Sequence, residues 1–331
     1  MWFFHSVKLV SDIILHRYTS PAGILHLGEI MRKIVFEETM DGICIDRIIR
    51  NYEYNMPSKH VHDEYEIYYL LEGERYYFIE NQTYLVKEGS LVFINKGQIH
   101  KTGVAGGKSY HDRILIELKA EPFQTFLQTT CGISLSQFFS SNYGVLKLDL
   151  NGQHYVKSLL LGIADELHQK QPHYNAMAMM KLSSLLIFAL RSNLKENTGL
   201  TSDLAMTAKH KKVSEVASYI MSHSTEARSL DDLAKRFFIS KCYLSRIFKE
   251  VTSFTVSEYI NINRIQKAQQ LLIDTDLSIT DIAAALGYES ITYFEKVFSN
   301  FTETSPLKYR KQYRKMTQPI RDKKTEQDGS R

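Results

Sequence analysis

Cysteine is scarce. Cys44, Cys131 and Cys242 are the only three in 331 residues. Their wide, unrelated spacing excludes a disulfide framework and a cysteine-rich zinc site. A long apolar run is also missing. A membrane helix needs about 18 or more uncharged apolar residues. The most apolar stretch, MAMMKLSSLLIFAL (177–190), is broken by Lys181, Ser183 and Ser184. The opening MWFFHSVKLVSDIILH has no basic leader and is interrupted by Lys8 and Asp12, a poor signal peptide. A reducing cytoplasm is the expected location, with no membrane partner. No separate catalytic constellation stands out along the chain.

What is present is ordinary in bulk and uneven in distribution. The chain is 44% hydrophobic and 24% charged, as globular proteins are, and its length suggests two or three domains. Residues 209–331 carry 21 Lys+Arg against 15 Asp+Glu. The rest is slightly acidic, so a polyanion is the expected partner of the C-terminal third. Residues 1–30 follow no clear period, and Met31 opens a strand-like run, MRKIVFEE. Translation from Met31 is therefore an alternative expectation to Met1. The tail from 316 to 331 is charged and expected to be disordered.

The last third contains a repeat. SLDDLAKRFFISKCYLSRIFKEVTSFTVSEY (229–259) aligns with SITDIAAALGYESITYFEKVFSNFTETSPLKY (278–309), with Glu289 as the one inserted residue. Ser229 falls on Ser278, Asp232 on Asp281, Ser240 on Ser290, Tyr243 on Tyr293, Phe248 on Phe298 and Thr252 on Thr302. Each copy opens with an N-cap hydroxyl and a carboxylate three residues on. Apolar residues then recur at helical spacing. Gly287 is the expected C-cap of the short helix in the second copy. Ser240 and Ser290 cap new helices. The pattern is a helix-turn-helix written twice. Between the copies, 256–273 lacks Gly and Pro and reads as one long helix.

YLSRIFK, INRIQKAQQLL, SITDIAAALGY and YFEKVFSNFTETSPLKYR together resemble the DNA-binding domain of the AraC/XylS family over about 210–315. The resemblance implies that both motifs enter successive major-groove segments, one turn or ~34 Å apart. By position it makes Lys241, Cys242, Ser245 and Arg246 base-reading candidates, with Ile291, Thr292, Glu295 and Lys296 in the second motif. Arg and Lys read guanine, Glu accepts from cytosine, and Ile touches only a thymine methyl. Lys249, Lys308, Arg310 and the helix starts at Ser240 and Ser290 are phosphate candidates. The chain departs from the family where glycine is usual, at Ser253 and Glu303. If those turns need positive φ, each residue costs about 1 kcal/mol. Tyr288, Phe294 and Phe298 are expected core residues.

The front of the chain alternates as short strands: 66–71, 74–79, 83–86, 90–94 and 113–118, with turns at Glu72-Gly73, Glu80-Asn81-Gln82 and Lys87-Glu88-Gly89. His60-x-His62-xxx-Glu66-xxxxxx-Gly73 resembles the first cupin motif. Gly89-xxxxx-Asn95-x-Gly97-xx-His100 resembles the second, with Asn95 in place of proline and Val104 in place of asparagine. Ligand types thus fill all four positions that bind metal in metallocupins: His60, His62, Glu66 and His100. Residues of equal parity on a strand face one way, so His60, His62 and Glu66 point inward with Tyr68 beyond them. Two readings stay open: a divalent transition-metal site, and a ligand-pocket or packing role without metal. His111 is expected at a surface or strand edge. The tyrosines of these strands either stack on a sugar or fill the barrel.

Residues 121–200 turn helical and are too apolar for lone surface helices. The resemblance implies that they pair two subunits, matching dimer to operator symmetry; capping of the barrel is the alternative. Residues 197–210 read as a linker. The expected fold is therefore multidomain α and β. A cupin-like antiparallel β-barrel, or jelly roll, over 31–120 comes first. A helical region follows, and then an all-α tandem helix-turn-helix domain. The expected function is transcription regulation, with activation the output that the resemblance implies. A small-molecule effector, a sugar by resemblance, binds in the barrel at His60, His62, Glu66, Tyr68 and His100. Double-stranded operator DNA is the partner, a homodimer the assembly, and RNA polymerase a further candidate partner. The alternatives are a metal-dependent cupin enzyme, isomerase or dioxygenase, with a DNA-binding domain, and an architectural DNA protein.

Overall fold

Alternating and β-branched residues between 32 and 118 build an antiparallel sheet, and longer apolar periods build the helices after it. In the computed structural model the described residues are 32–55, 62–107, 109–193, 207–226 and 229–317. Before them, only the backbone of four two-residue strands is described: β1 (Ile14–Leu15), β2 (Tyr18–Thr19), β3 (Leu25–His26) and β4 (Glu29–Ile30). The expectations for the start of the chain, for His60, for most of the linker and for the tail after 317 lie outside the described residues. The chain divides into two units, 1–211 and 212–331.

In the first unit, β5 (Arg32–Met40), β6 (Ile43–Arg50), β7 (Tyr65–Ile79), β9 (Leu91–Ile94), β11 (His111–Leu118) and β12 (Gly144–Leu146) lie in the order β12-β9-β7-β11-β6-β5. Two more strands, β8 (Gln82–Lys87) and β10 (His100–Val104), pair with the second half of β7. The sheet does not close into a hydrogen-bonded barrel among the described residues; β5 and β12 remain edges. The expected turn at Glu72-Gly73 is also absent, and the two predicted strands there are one 15-residue strand. Gly73 bends it instead. Its φ is +101°, and a Cβ there would meet Tyr110 O at 2.6 Å, so only glycine allows the approach. Bending brings the two ends of β7 together: Glu66 lies at one end, and His100 pairs with Ile79 at the other.

The two faces of the sheet serve different cores. Ile45, Ile67, Tyr69, Phe93, Ile114 and Ile116 bury against four helices: α1 (Phe123–Cys131), α2 (Leu135–Asn142), α3 (Leu150–Gln169) and α4 (Tyr174–Asn193). Leu160, Ile163, Leu182, Leu185 and Leu186 come from the helical side of that core. The apolar faces of α3 and α4 are thus used in packing on the sheet. The other face folds over an interior lined by Tyr68, Leu70, Tyr77, Ile79, Val86, Val92 and Ile94.

The second unit is helical and continues α5 (Ala208–Ser222), which begins just before it. Its further elements are α6 (Leu230–Arg236), α7 (Lys241–Thr252), α8 (Val256–Asp274), α9 (Ile279–Ala285), α10 (Ile291–Thr302) and α11 (Pro306–Thr317). The capping signals act as the sequence suggests. Ser229, Ser240, Ser278 and Ser290 each accept from the backbone N–H three residues on, at 3.2, 3.2, 3.0 and 3.4 Å. Thr255 and Glu258 form a capping box at the start of α8. Gly287 has φ +76°, and a Cβ there would meet Thr225 O at 2.8 Å. The C-caps Ser253 and Glu303 are left-handed, at φ 68° and 57°.

Candidate functional site

Two sites emerge, one in each unit. In the sheet interior, His62 precedes β7, Glu66 lies near its start, and His100 opens β10. His62 Nε2 is 2.6 Å and His100 Nε2 3.3 Å from the same carboxylate oxygen, Glu66 Oε1. The two imidazole rings cross edge-on with centroids 5.1 Å apart. His100 Nδ1 donates to Gln98 O at 3.0 Å, which turns Nε2 toward Glu66. Burial works to raise the Glu66 pKa, but the two histidines outweigh it and hold the carboxyl well below the usual range. Burial also pulls His62 down; the hydrogen bond to Glu66 wins and its pKa is raised. Ligand atoms of His62, Glu66 and His100 lie within 4.8 Å of one another. The backbone bond to His100 Nδ1 is the kind of outer contact that orients a metal-binding imidazole, so these three residues fit a divalent metal.

Tyr68 lies beyond Glu66 on the same face, its ring 5.4 Å from that of Tyr77. Several residues of this domain were missed from sequence. Glu117, exposed on β11, is the register partner of Glu66 on β7, and its pKa is raised by partial desolvation and then by the Glu66 charge. Arg50, Arg75, Tyr77 and His111 are buried in the same domain. Strand parity hid them. Inward positions are even from 66 to 70 and odd from 75 to 79, because the bend at Gly73 shifts the phase. His111 is not a surface residue but only 2% exposed, with its pKa lowered to about 4 by burial and then by Arg75.

In the helical unit the two recognition helices repeat each other in burial as well as in sequence. Leu244, Ile247 and Phe248 of α7 are buried, as are Phe294, Val297 and Phe298 of α10. Between and before them, Lys241, Cys242, Ser245, Arg246 and Lys249 are exposed, as are Ile291, Thr292, Glu295 and Lys296. A groove of about 620 Å³ runs along α7, lined by Leu230, Lys241, Cys242, Ser245, Arg246, Lys249 and Glu250. Lys241 Nζ is 3.0 Å from Asp231 Oδ2 at the groove edge. The Arg246 guanidinium lies 5.7 Å from the Tyr243 ring centroid. Tyr243 and Tyr293 are exposed on these helices too, aromatic neighbours the positional argument overlooked. Lys308 is exposed, whereas Arg310 is partly buried. Arg310 donates to Leu272 O at 3.2 Å and to Leu277 O. Its guanidinium thus ties α11 to the end of α8 and to the segment after it.

Residues 43–186 match the family described as AraC-like ligand binding domain, and residues 233–312 match a helix-turn-helix domain family. The chain is 31% identical over 159 residues to YijO of Escherichia coli K12, an uncharacterized HTH-type transcriptional regulator, covering 48% of this chain and 53% of that one. It is 26% identical over 253 residues to YdeC of Bacillus subtilis 168, also an uncharacterized HTH-type transcriptional regulator, covering 76% of this chain and 85% of that one. The melibiose operon regulatory protein of Escherichia coli K12 is 35% identical over 109 residues, which are 32% of this chain and 36% of that one. The match thus spans about half the length of YijO, most of YdeC and about a third of the melibiose regulator.

Proposed function

The chain belongs to the AraC family by both of its domains, and from that premise we propose that it is a sequence-specific DNA-binding transcription regulator controlled by a small molecule. The effector binds inside the N-terminal sheet, and α7 and α10 read the operator. The observation that carries this reading is the twofold repetition of one exposed polar helix face over one buried apolar face. A core needs only the buried half of that pattern. The exposed half supplies side chains long enough to reach base edges, on helices whose N-termini favour phosphate.

The melibiose relative supports a carbohydrate as the effector class, and the family resemblance supports activation as the output. A homodimer would place four such helices on a two-part operator, and RNA polymerase is the partner an activator needs. The cupin-enzyme alternative is set aside because the relatives are named as transcriptional regulators. Selection of random duplexes with the full chain tests the proposal. A single enriched motif with two elements about one helical turn apart is expected; recovery of unenriched DNA would contradict it.

A divalent transition metal would be held by His62, Glu66 and His100. Near-stoichiometric metal in the purified protein, lost in His62→Ala, is the expected result of elemental analysis. Metal-free wild-type protein would return the cluster to an imidazole–carboxylate network.

A further inference from the structure

The interior of the sheet domain has a second polar end. Arg75 is 1% exposed and Arg50 is 7% exposed. Arg50 lies in register with His111, which lies in register with Gly73 at the bend of β7. Arg75 follows two residues later. One Arg75 Nη donates to Tyr54 O, and the Arg50 guanidinium sits 4.1 Å over the Tyr54 ring. Arg50 Nη1 is 3.5 Å from His111 Nε2. Among the described residues, buried Nε and Nη1 of Arg75 and Nε of Arg50 meet no hydrogen-bond partner. The nearby carboxylates are already engaged. Asp112 takes Arg47 at 3.1 and 2.7 Å, and Asp46 takes Arg113. Among the described residues, none forms an ion pair with Arg50 or Arg75.

Two buried guanidinium groups without a counter-charge are costly to hold, since burial penalises an uncompensated ion heavily. Packing alone does not require them; an aliphatic side chain fills the same volume. A planar fork of donors is the group that recognises carboxylate or phosphate. Tyr68 and Tyr77, both buried with their rings edge to face 5.4 Å apart, lie near this end and near Glu66.

We propose that Arg50 and Arg75 form the anion-binding end of the effector site, so that the effector is a carbohydrate carrying a carboxylate or phosphate group. The anion lies at the two guanidinium groups, and admission of the sugar body requires Tyr68 and Tyr77 to part. The proposal rests on the reading that the sheet domain is the effector site. Sugar acids and sugar phosphates share the required chemistry.

The test is thermal melting and calorimetric titration of the full chain with glucose, glucuronate and glucose 6-phosphate at equal ionic strength. Wild type, Arg75→Met and Arg50→Gln are compared. A saturable stabilisation by one or both anions, absent with glucose, is expected, and the stronger of the two identifies the source of the anion. Arg75→Met should weaken that response at least tenfold while melting no lower than the unliganded wild type. If Arg75→Met does not fold, Arg50→Gln must show the same loss. Glucose acting as strongly as the anions would overturn the proposal, as would the absence of any anion response. Operator selection by the same preparation then shows separately whether the regulator reading stands.

Discussion

Arg246 is exposed on α7, over Tyr243 and beside the groove, and it is the side chain on that face best suited to read guanine. On a selected operator, Arg246→Ala should cost about 1–3 kcal/mol of discrimination at its base position. Equal affinity and selectivity in wild type and variant would remove Arg246 from the reading set. His111 gives a pH test. Its neighbours are Arg50, Arg75 and Ser109, with Asp112 beside it on β11. Its folded pKa, about 4, lies below the ordinary 6.5, so between those values the unfolded chain binds more protons. Stability from this group is present above about 6.5 and is lost as pH falls toward about 4. The melting temperature of the wild type should therefore fall through that window, and more steeply than that of His111→Gln. Parallel profiles would contradict the assignment. Single residues were also where sequence reading failed. Arg75 and His111 were unreadable because their burial depends on a bend.

At the scale of elements, the helix-turn-helix was legible because its signals are local. Cap hydroxyls, spacing of apolar residues and Gly287 each specify structure within a few positions. Strand boundaries around Gly73 were not legible, since a glycine marks a turn and a bend alike and only the partner strand decides. The departures from glycine at Ser253 and Glu303 have a visible structural meaning: both residues sit in left-handed backbone. Thr302 Oγ1 spans the turn at Glu303, 2.8 Å from Phe298 O and 2.9 Å from Thr304 O, with its single proton shared between them. Thr252 repeats the contact to Phe248 O at 2.7 Å. Relief of a left-handed non-glycine residue is worth about 1 kcal/mol, partly offset by glycine's greater freedom in the unfolded chain. Glu303→Gly should therefore raise the melting temperature slightly and, by removing a negative charge after α10, tighten DNA binding. A fall in both would show that Glu303 serves a contact of its own.

At the scale of the molecule, the chain joins two units with different chemistry. One buries histidine, glutamate and arginine inside a folded sheet. The other exposes basic and polar side chains on two matching helices. The repeat and the charge imbalance set the C-terminal third apart in the sequence; for the middle helices, covering the sheet stayed one of two alternatives, because apolar periodicity says that a helix is covered without saying by what. Regulation requires that the effector bind the active arrangement better than the inactive one, and its effect cannot exceed that difference in affinity. All of this depends on the helical unit reading sequence and not merely charge. The most direct measurement is the affinity of the full chain for its selected site and for random duplex at one fixed salt concentration. The account expects a preference of at least about 10³ for the selected site, as specific binders show. Equal affinities, falling together as salt rises, would leave only phosphate attraction and would contradict it.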